Sequence, residues 1–383
     1  VYKRQMLTDL ANFPAQENKL RIRRTLKAPI PEEFKVKTKD GFNIKLTRYA
    51  AGTKGPLLLA PGFTVNASSF AADTVDENLV EHLSNIDPSG YGKAENYDIW
   101  LFDYRASPDS GNGGRPFNID DIAMHDWPAA VKFVLEKTGA KNVQAIVHCV
   151  GSMSLLMAKI KGLEGVRSAI CSQLTLHPVT NWLNYLKADV HMVKILEDTH
   201  QISTIDIRSS DSTKDKGIDA LLWNLPVPEG EECTNPCCKR IFAVYGPSYT
   251  HKQLNNDTHI ALREWFGVIS TKSFDQLTTI LRVGYTVDQY GNNTYLPEGK
   301  KIDIPIHFVA GDQNQEFLPE TSLRTCEWLK AHGNPDMYSR QVFKDYAHMD
   351  FFIGRNASKD IFPELLKALR MLDKKTEKTR HSL

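Results

Sequence analysis

The chain has 383 residues, 41% hydrophobic and 24% charged, with a formal net charge of +1. That length suits one large domain or two modest ones, with the composition of an ordinary soluble globular protein. Near-neutrality offers no electrostatic case for nucleic acid or an anionic membrane, no apolar run approaches the roughly 20 residues of a membrane span, and no secretory leader is recognisable.

Val1-Tyr2-Lys3-Arg4-Gln5 reads either as a translated sequencing-adapter tail, as at the ends of metagenomic reads, or as a basic N-terminus. In the first case the natural start, and any upstream domain, is missing. Residues 1–30 are polar and form an arm or leading helix. Phe34–Thr38 and Phe42–Tyr49 alternate around Asp40-Gly41, a hairpin signal. Pro56–Ala60 and Ile99–Tyr104 are short apolar runs suited to buried parallel strands. Residues 120–138 carry helical periodicity, with Asp120 or Asp121 as N-cap and Gly139 as stop. The next apolar run ends at Val147 and turns through His148-Cys149-Val150-Gly151 into a helix from Ser152. Val166–Cys171 is another strand. This rhythm predicts a mostly parallel sheet with helices on both faces.

The rhythm breaks over 175–300, which reads as an inserted cap. Ile304–Ala310 restores the sheet. A helix near 319–331, a strand near Ser339–Phe343, a loop Lys344–Asp350 and a closing helix over about 358–373 follow. The expected organisation is a core of 31–174 and 301–383 interrupted by the cap.

Chemistry concentrates at residues 147–151. The layout is the strand–nucleophile–helix elbow of G-x-S-x-G, with Cys149 for the serine and Val147 for the first glycine. Such a corner lifts one side chain above the sheet and aims the first helical amides at the same point. A thiol there needs a base, an orienting group and amides for an oxyanion. His348, late and after the last strand, has the base's place. Asp312 is the one carboxylate in the turn Gly311–Asn314, and Asn314 competes with it as orienter. The oxyanion amides are those of Val150 and of Phe63 or Thr64. His148 fills space beside the elbow or lines the pocket. Asp350 anchors its loop, and His125-Asp126 serves a helix-to-loop contact.

The other cysteines read as structural. Cys171 and Cys326 suit core packing. Cys233, Cys237 and Cys238 cluster without a nearby His pair to complete a zinc set, so they read as ordinary thiols or one local disulfide. No metal or cofactor is expected.

Pro61-Gly62-Phe63, Tyr97–Arg105, the elbow and Tyr346–Asp350 resemble the α/β-hydrolase superfamily in the same order. Within it the chain looks most like hydrolase domains fused to, or beside, bacterial cholesterol-oxidase-type flavin oxidoreductases, on Ala145–Ser152, Ser168–Pro178 and Thr258–Gly267. It is also similar to acid lipases, and to polyhydroxyalkanoate synthases, which use cysteine in the elbow. The resemblance implies the α/β-hydrolase fold and an esterase, lipase or thioesterase acting on a small apolar ester or thioester through an acyl-Cys149 intermediate. Relatives place the acid at the position of Asn314. The rival readings are acyl transfer and a non-catalytic partner of a flavin oxidoreductase. No Gly-x-Gly-x-x-Gly flavin motif is present, and the cytoplasm is the favoured compartment.

Overall fold

The computed structural model describes residues 21, 23–84, 96–112, 115–191, 204–208 and 226–381. The expectations for residues 1–20, including Val1–Gln5, lie outside them, as does part of the 175–300 segment.

The hairpin forms as β1 (Glu32–Lys37) and β2 (Asn43–Ala50), paired from Glu32↔Arg48 to Lys37↔Asn43. Gly41 takes φ 84° in its turn, a left-handed conformation that costs glycine little. β3 (Pro56–Ala60), β4 (Asp98–Asp103), β5 (Val143–His148) and β6 (Val166–Ser172) follow, then two short strands, β7 (Thr204–Asp206) and β8 (Val268–Ser270), which pair antiparallel with each other. β9 (Ile306–Gly311) and β10 (Tyr338–Phe343) complete an eight-stranded sheet of order β1-β2-β4-β3-β5-β6-β9-β10. β2 runs antiparallel to β1 and β4; the remaining pairs are parallel.

β3 and β5 are buried at every position, as strands covered on both faces must be. Alternate residues serve opposite faces. Leu58, Ala145 and Val147 join a core with Trp127, Val131, Leu155 and Leu156. Leu57, Leu59 and Ile146 join another with Leu79, Leu83, Leu365 and Leu369. The helices concerned are α1 (Leu79–Ser84), α2 (Trp127–Thr138), α3 (Val150–Ile160) and, after the insertion, the C-terminal Phe362–His381. The start of the α2 region differs from expectation. A capping box between Asn118 and Asp121 opens a short turn, and a π-helical stretch over Ile122–Asp126 precedes α2. Asp120 is not the cap because its carboxylate accepts from the Gln289 amide and Gln276 instead. Gly139 does end the helix, with φ 69°.

Between β6 and β9 lie α4 (Trp182–Asp189), α5 (Pro236–Tyr245), α6 (Asn256–Trp265) and α7 (Thr271–Val283), followed by α8 (Glu320–His332) beyond β9. Part of this insertion, including Ile241, Phe242, Ala261, Leu262 and Trp265, packs in an apolar cluster with Val65, Val75, Met349 and Ile353. Asn66 donates its amide to the Trp265 carbonyl, and Val65 bridges Phe266. The insertion is thereby seated on the turn after β3.

Candidate active site

The corner after β5 is sharp and local. Cys149 is the N-cap of α3 at φ 54°, ψ −127°, a conformation that disfavours side chains and is sustained by its surroundings. A Cβ on Gly151 would stand 2.6 Å from the Pro61 carbonyl oxygen, and one on Gly62 would stand 3.2 Å from Cys149 Cβ. Both glycines therefore let the β3 turn close onto the elbow. Val147, in the place of the usual first glycine, is buried in the core. The amides of Phe63 and Val150 donate to Cys149 Sγ, so two N–H groups from separate elements converge on one point. Thr64 is not the second donor. It too has a positive φ, 59°, and its hydroxyl pairs with Tyr245 Oη from α5.

His348 reaches the elbow from the loop after β10. A Cβ on Gly311 would stand 2.1 Å from the Tyr346 carbonyl oxygen, so this glycine admits the loop. Asp350 accepts from the Ala347 amide at 2.7 Å and from the Thr250 amide at 3.0 Å. It ties the histidine loop both to itself and to the insertion. Burial nonetheless raises its carboxyl to about 7.

The loop after β9 departs most from expectation. Asp312 faces the surface, accepts from the Asp345 amide at 2.7 Å and is outside the group around Cys149. Through that bond it links the loop after β9 to the loop after β10. Asn314 is buried, with Nδ2 3.2 Å from His348 Nδ1. Asn314 Oδ1 already accepts from the amides of Glu316 and Phe317, at 3.0 and 3.1 Å. Its Nδ2 donates to Gln173 Oε1 at 2.8 Å. Gln173 is oriented in turn, since Oε1 accepts from the Gly311 amide and Nε2 donates to the Ala347 carbonyl. The amide nitrogen of Asn314 is therefore the end presented to the ring. An N–H there requires Nδ1 to be the acceptor, which leaves the proton of neutral His348 on Nε2. An aspartate at 314 would impose the opposite tautomer.

Glu316 is the residue that sequence reasoning missed. Its Oε1 lies 3.6 Å from His348 Nε2, and its Oε2 accepts from Ser248 Oγ at 2.7 Å. Cys149, Glu316 and His348 each offer a ligand-type atom within 4.8 Å of the others. All three are buried. Burial raises Glu316 to about 8. Burial, then the nearby Glu316, pushes the Cys149 thiol up, against the pull of the two amides. Burial, then His148, drives His348 well below its usual value. Around pH 7 the resting site thus holds a thiol, a carboxylic acid and a neutral imidazole. His148 packs its ring 4.4 Å from that of His348 and is held neutral by burial, at about 3.

The cavity at Cys149 is small, about 20 Å³, and is bordered by Phe63, Tyr245, Ser248, Glu316 and His348. An apolar cavity of about 100 Å³ adjoins it, sharing Tyr245, Leu277, Glu316 and Phe317 and extending along Ala188, Ile269 and Leu281 of the insertion.

The cysteines of the insertion also differ from expectation. All six cysteines are free thiols, and a His pair is present after all. Cys238 Sγ is 3.3 Å from His251 Nε2 and Cys233 Sγ is 3.4 Å from His259 Nε2. The separations, 13 and 26 residues along the chain, hid the pairing. The group Asp40, Asp121 and His125 is engaged otherwise, since the Asp40 carboxylate is paired with the buried Arg105.

No family model matches the chain. Human lipase member K is 29% identical over 145 residues, 33% of this chain and 34% of the lipase. Human lysosomal acid lipase/cholesteryl ester hydrolase is 26% identical over 129 residues, 32% of each chain. These matches span about a third of the relatives' length. In three dimensions the α/β hydrolase GrgF from Penicillium superposes with a TM-score of 0.53 at 15% identity, covering 90% of this chain and 98% of that one. The fold is that of the α/β-hydrolases. Within that fold Cys149 lies at the corner between β5 and α3, and His348 in the loop after β10. No helix among the described residues is long and apolar enough to cross a membrane.

Proposed function

We propose that the protein cleaves carboxylic esters or thioesters of apolar acids through an acyl-Cys149 intermediate, with Glu316 taking the thiol proton and His348 donating from Nε2. The reading is supported most by one observation: the Phe63 and Val150 amides converge on Cys149 Sγ, beside a buried carboxyl and imidazole. The likeness to lipases points to the same substrate class.

Resting Sγ sits where an oxyanion would lie. Rotation about χ1 moves it toward Glu316 and His348 and frees both amides for the substrate carbonyl oxygen. The reactive form is the one with Glu316 ionised, a minor fraction at pH 7 because burial raises this carboxyl to about 8; the thiol proton passes to that carboxylate as sulfur bonds to the carbonyl carbon. The amides hold the oxyanion, each such donor contributing about 3 kcal/mol in comparable sites. Collapse breaks the bond to the alcohol or thiol, which leaves with the Glu316 proton. Water then attacks the acyl carbon, gives its proton to Glu316, and the departing thiolate recovers it. His348 cannot be the base in the tautomer that Asn314 imposes, but its Nε2–H can stabilise thiolate and oxyanion. The insertion serves as a cap over 175–300, its apolar cavity taking the acyl chain or ring.

Acyl transfer is the second reading, in which an alcohol in place of water takes the acyl group from Cys149. A partnership with a flavin oxidoreductase is compatible with either. Intact mass after exposure to a panel of p-nitrophenyl esters and acyl thioesters tests the proposal. An acyl adduct on wild-type protein, absent in Cys149→Ala, is expected. An unchanged mass with no product would sink both catalytic readings. Free acid released without an added alcohol supports hydrolysis; a new ester formed only with one supports transfer.

A further inference from the structure

We infer that Cys233, Cys238, His251 and His259 form a structural zinc site that staples the insertion together. Each offers one ligand atom, Sγ or an imidazole nitrogen, and all four atoms lie within 4.8 Å of one another. Zn–S near 2.3 Å and Zn–N near 2.05 Å in a tetrahedron give an S···N edge of about 3.6 Å. The two S···N distances here, 3.3 and 3.4 Å, are already close to that edge.

The surroundings of the four atoms point the same way. His251 Nδ1 donates to Glu231 Oε2 at 2.5 Å, which leaves Nε2 bare and directed at Cys238. A carboxylate fixing the tautomer of a ligating histidine is a usual outer support of zinc. Cys233 Sγ accepts from the Asn235 amide at 3.3 Å, a bond that favours thiolate. Asn235 also caps α5 through the Cys237 and Cys238 amides, which fixes Cys238 on the first turn. Cys237 is outside the group of four and packs in the apolar cluster. A set of two thiolates and two imidazoles suits zinc over calcium or magnesium, which take oxygen ligands. With four protein ligands the site is closed, as structural zinc sites are.

The four ligands come from the stretch before α5, the first turn of α5, the short turn His251–Gln253 and α6. These segments also hold the active site. α5 carries Tyr245, bonded to Thr64. Ser248 binds Glu316, Thr250 binds Asp350, and Trp265 binds Asn66. Zinc there would fix the seat of the catalytic loops without touching the chemistry.

The test is metal analysis of the purified full chain, followed by replacement with Co²⁺. One zinc per chain is expected. The cobalt form should show intense visible d–d bands and a near-ultraviolet thiolate-to-cobalt band typical of tetrahedral sites with two sulfurs. Cys233→Ser and His259→Ala should each lose most of the zinc, whereas Cys149→Ser should keep it. That last arm separates this site from Cys149, Glu316 and His348 and from the fate of the proposed activity. Three results would overturn the inference: zinc-free wild-type protein that takes up none from micromolar solution, a mass two daltons low from a Cys233–Cys238 disulfide, or zinc lost with Cys149→Ser. Because the cobalt spectrum is read on the wild-type chain, misfolding of a variant leaves the test decisive.

Discussion

The two walls of the candidate active site are built in different ways. The elbow wall is local: β5, one strained residue and α3 are consecutive, and two glycines clear the way for the neighbouring turn. The opposite wall is assembled from afar. Asn314 and Glu316 share the loop after β9, while Gln173, Ser248 and His348 come from three other loops or strand ends, and the hydrogen bonds among them set which atom faces which. The difference teaches that the elbow thiol can be positioned by chain geometry alone, whereas the protonation states around it belong to the whole network.

The strongest way to break that comparison is at the local wall. Cys149→Ala should lower ester turnover by at least about 10³-fold, measured as kcat/KM on a p-nitrophenyl ester, with the fold intact by circular dichroism. Unchanged turnover would remove the elbow from catalysis.

The distant wall is tested next by Glu316→Gln, expected to cost about 10²- to 10³-fold. In the wild type the rate should rise with pH toward a plateau above about 8, where the raised carboxyl ionises. The same shift affects stability. The folded carboxyl titrates near 8 and the unfolded one near 4.5. Between these values the folded state binds a proton that the unfolded state lacks. The resulting stabilisation is full below about 4.5 and is lost as pH rises through about 8. Urea midpoints across this range should therefore fall less steeply in Glu316→Gln than in wild type.

Asn314→Asp sharpens the comparison. A carboxylate oxygen would accept from His348 Nδ1–H and place the lone pair on Nε2, facing the thiol. Activity at pH 7 should rise about 10-fold, and the pH profile should shift toward acid. If the pH–rate profile stays where it was, the tautomer does not limit the reaction.

The smallest effect belongs to Asp312→Ala. Loss of the bond from the Asp345 amide should cost about 1 kcal/mol in urea unfolding, with kcat/KM within about twofold of wild type. A hundredfold loss would return Asp312 to the site.

Much of this was legible along the chain. Period-two and period-3.6 patterns mark the strands and helices, Cys149 and Val150 stand out because an elbow is a short-range feature, and Phe63 and His348 stand out by their places just after strands. Glu316 carried no comparable mark. It is a single carboxylate in Gln315-Glu316-Phe317, and its distinction comes from Ser248 and from an apolar lining drawn from the insertion. The Cys233–His259 group was hidden for a related reason, since its histidines lie on a turn and a helix that only the fold returns to the cysteines. Asp120 misled because a carboxylate near a helix start can cap it or bond elsewhere, and Asn118 was better placed.

By itself the sequence determined the layered sheet and the corner at Cys149, because apolar periodicity and steric limits at glycine act over a few residues. The tertiary structure alone decided that Asn314, not Asp312, meets His348, which end of its amide faces the ring, and that Glu316 shares the cavity. Those outcomes depend on hydrogen-bond partners remote in the chain and on the removal of water, and neither is encoded in any short stretch of residues.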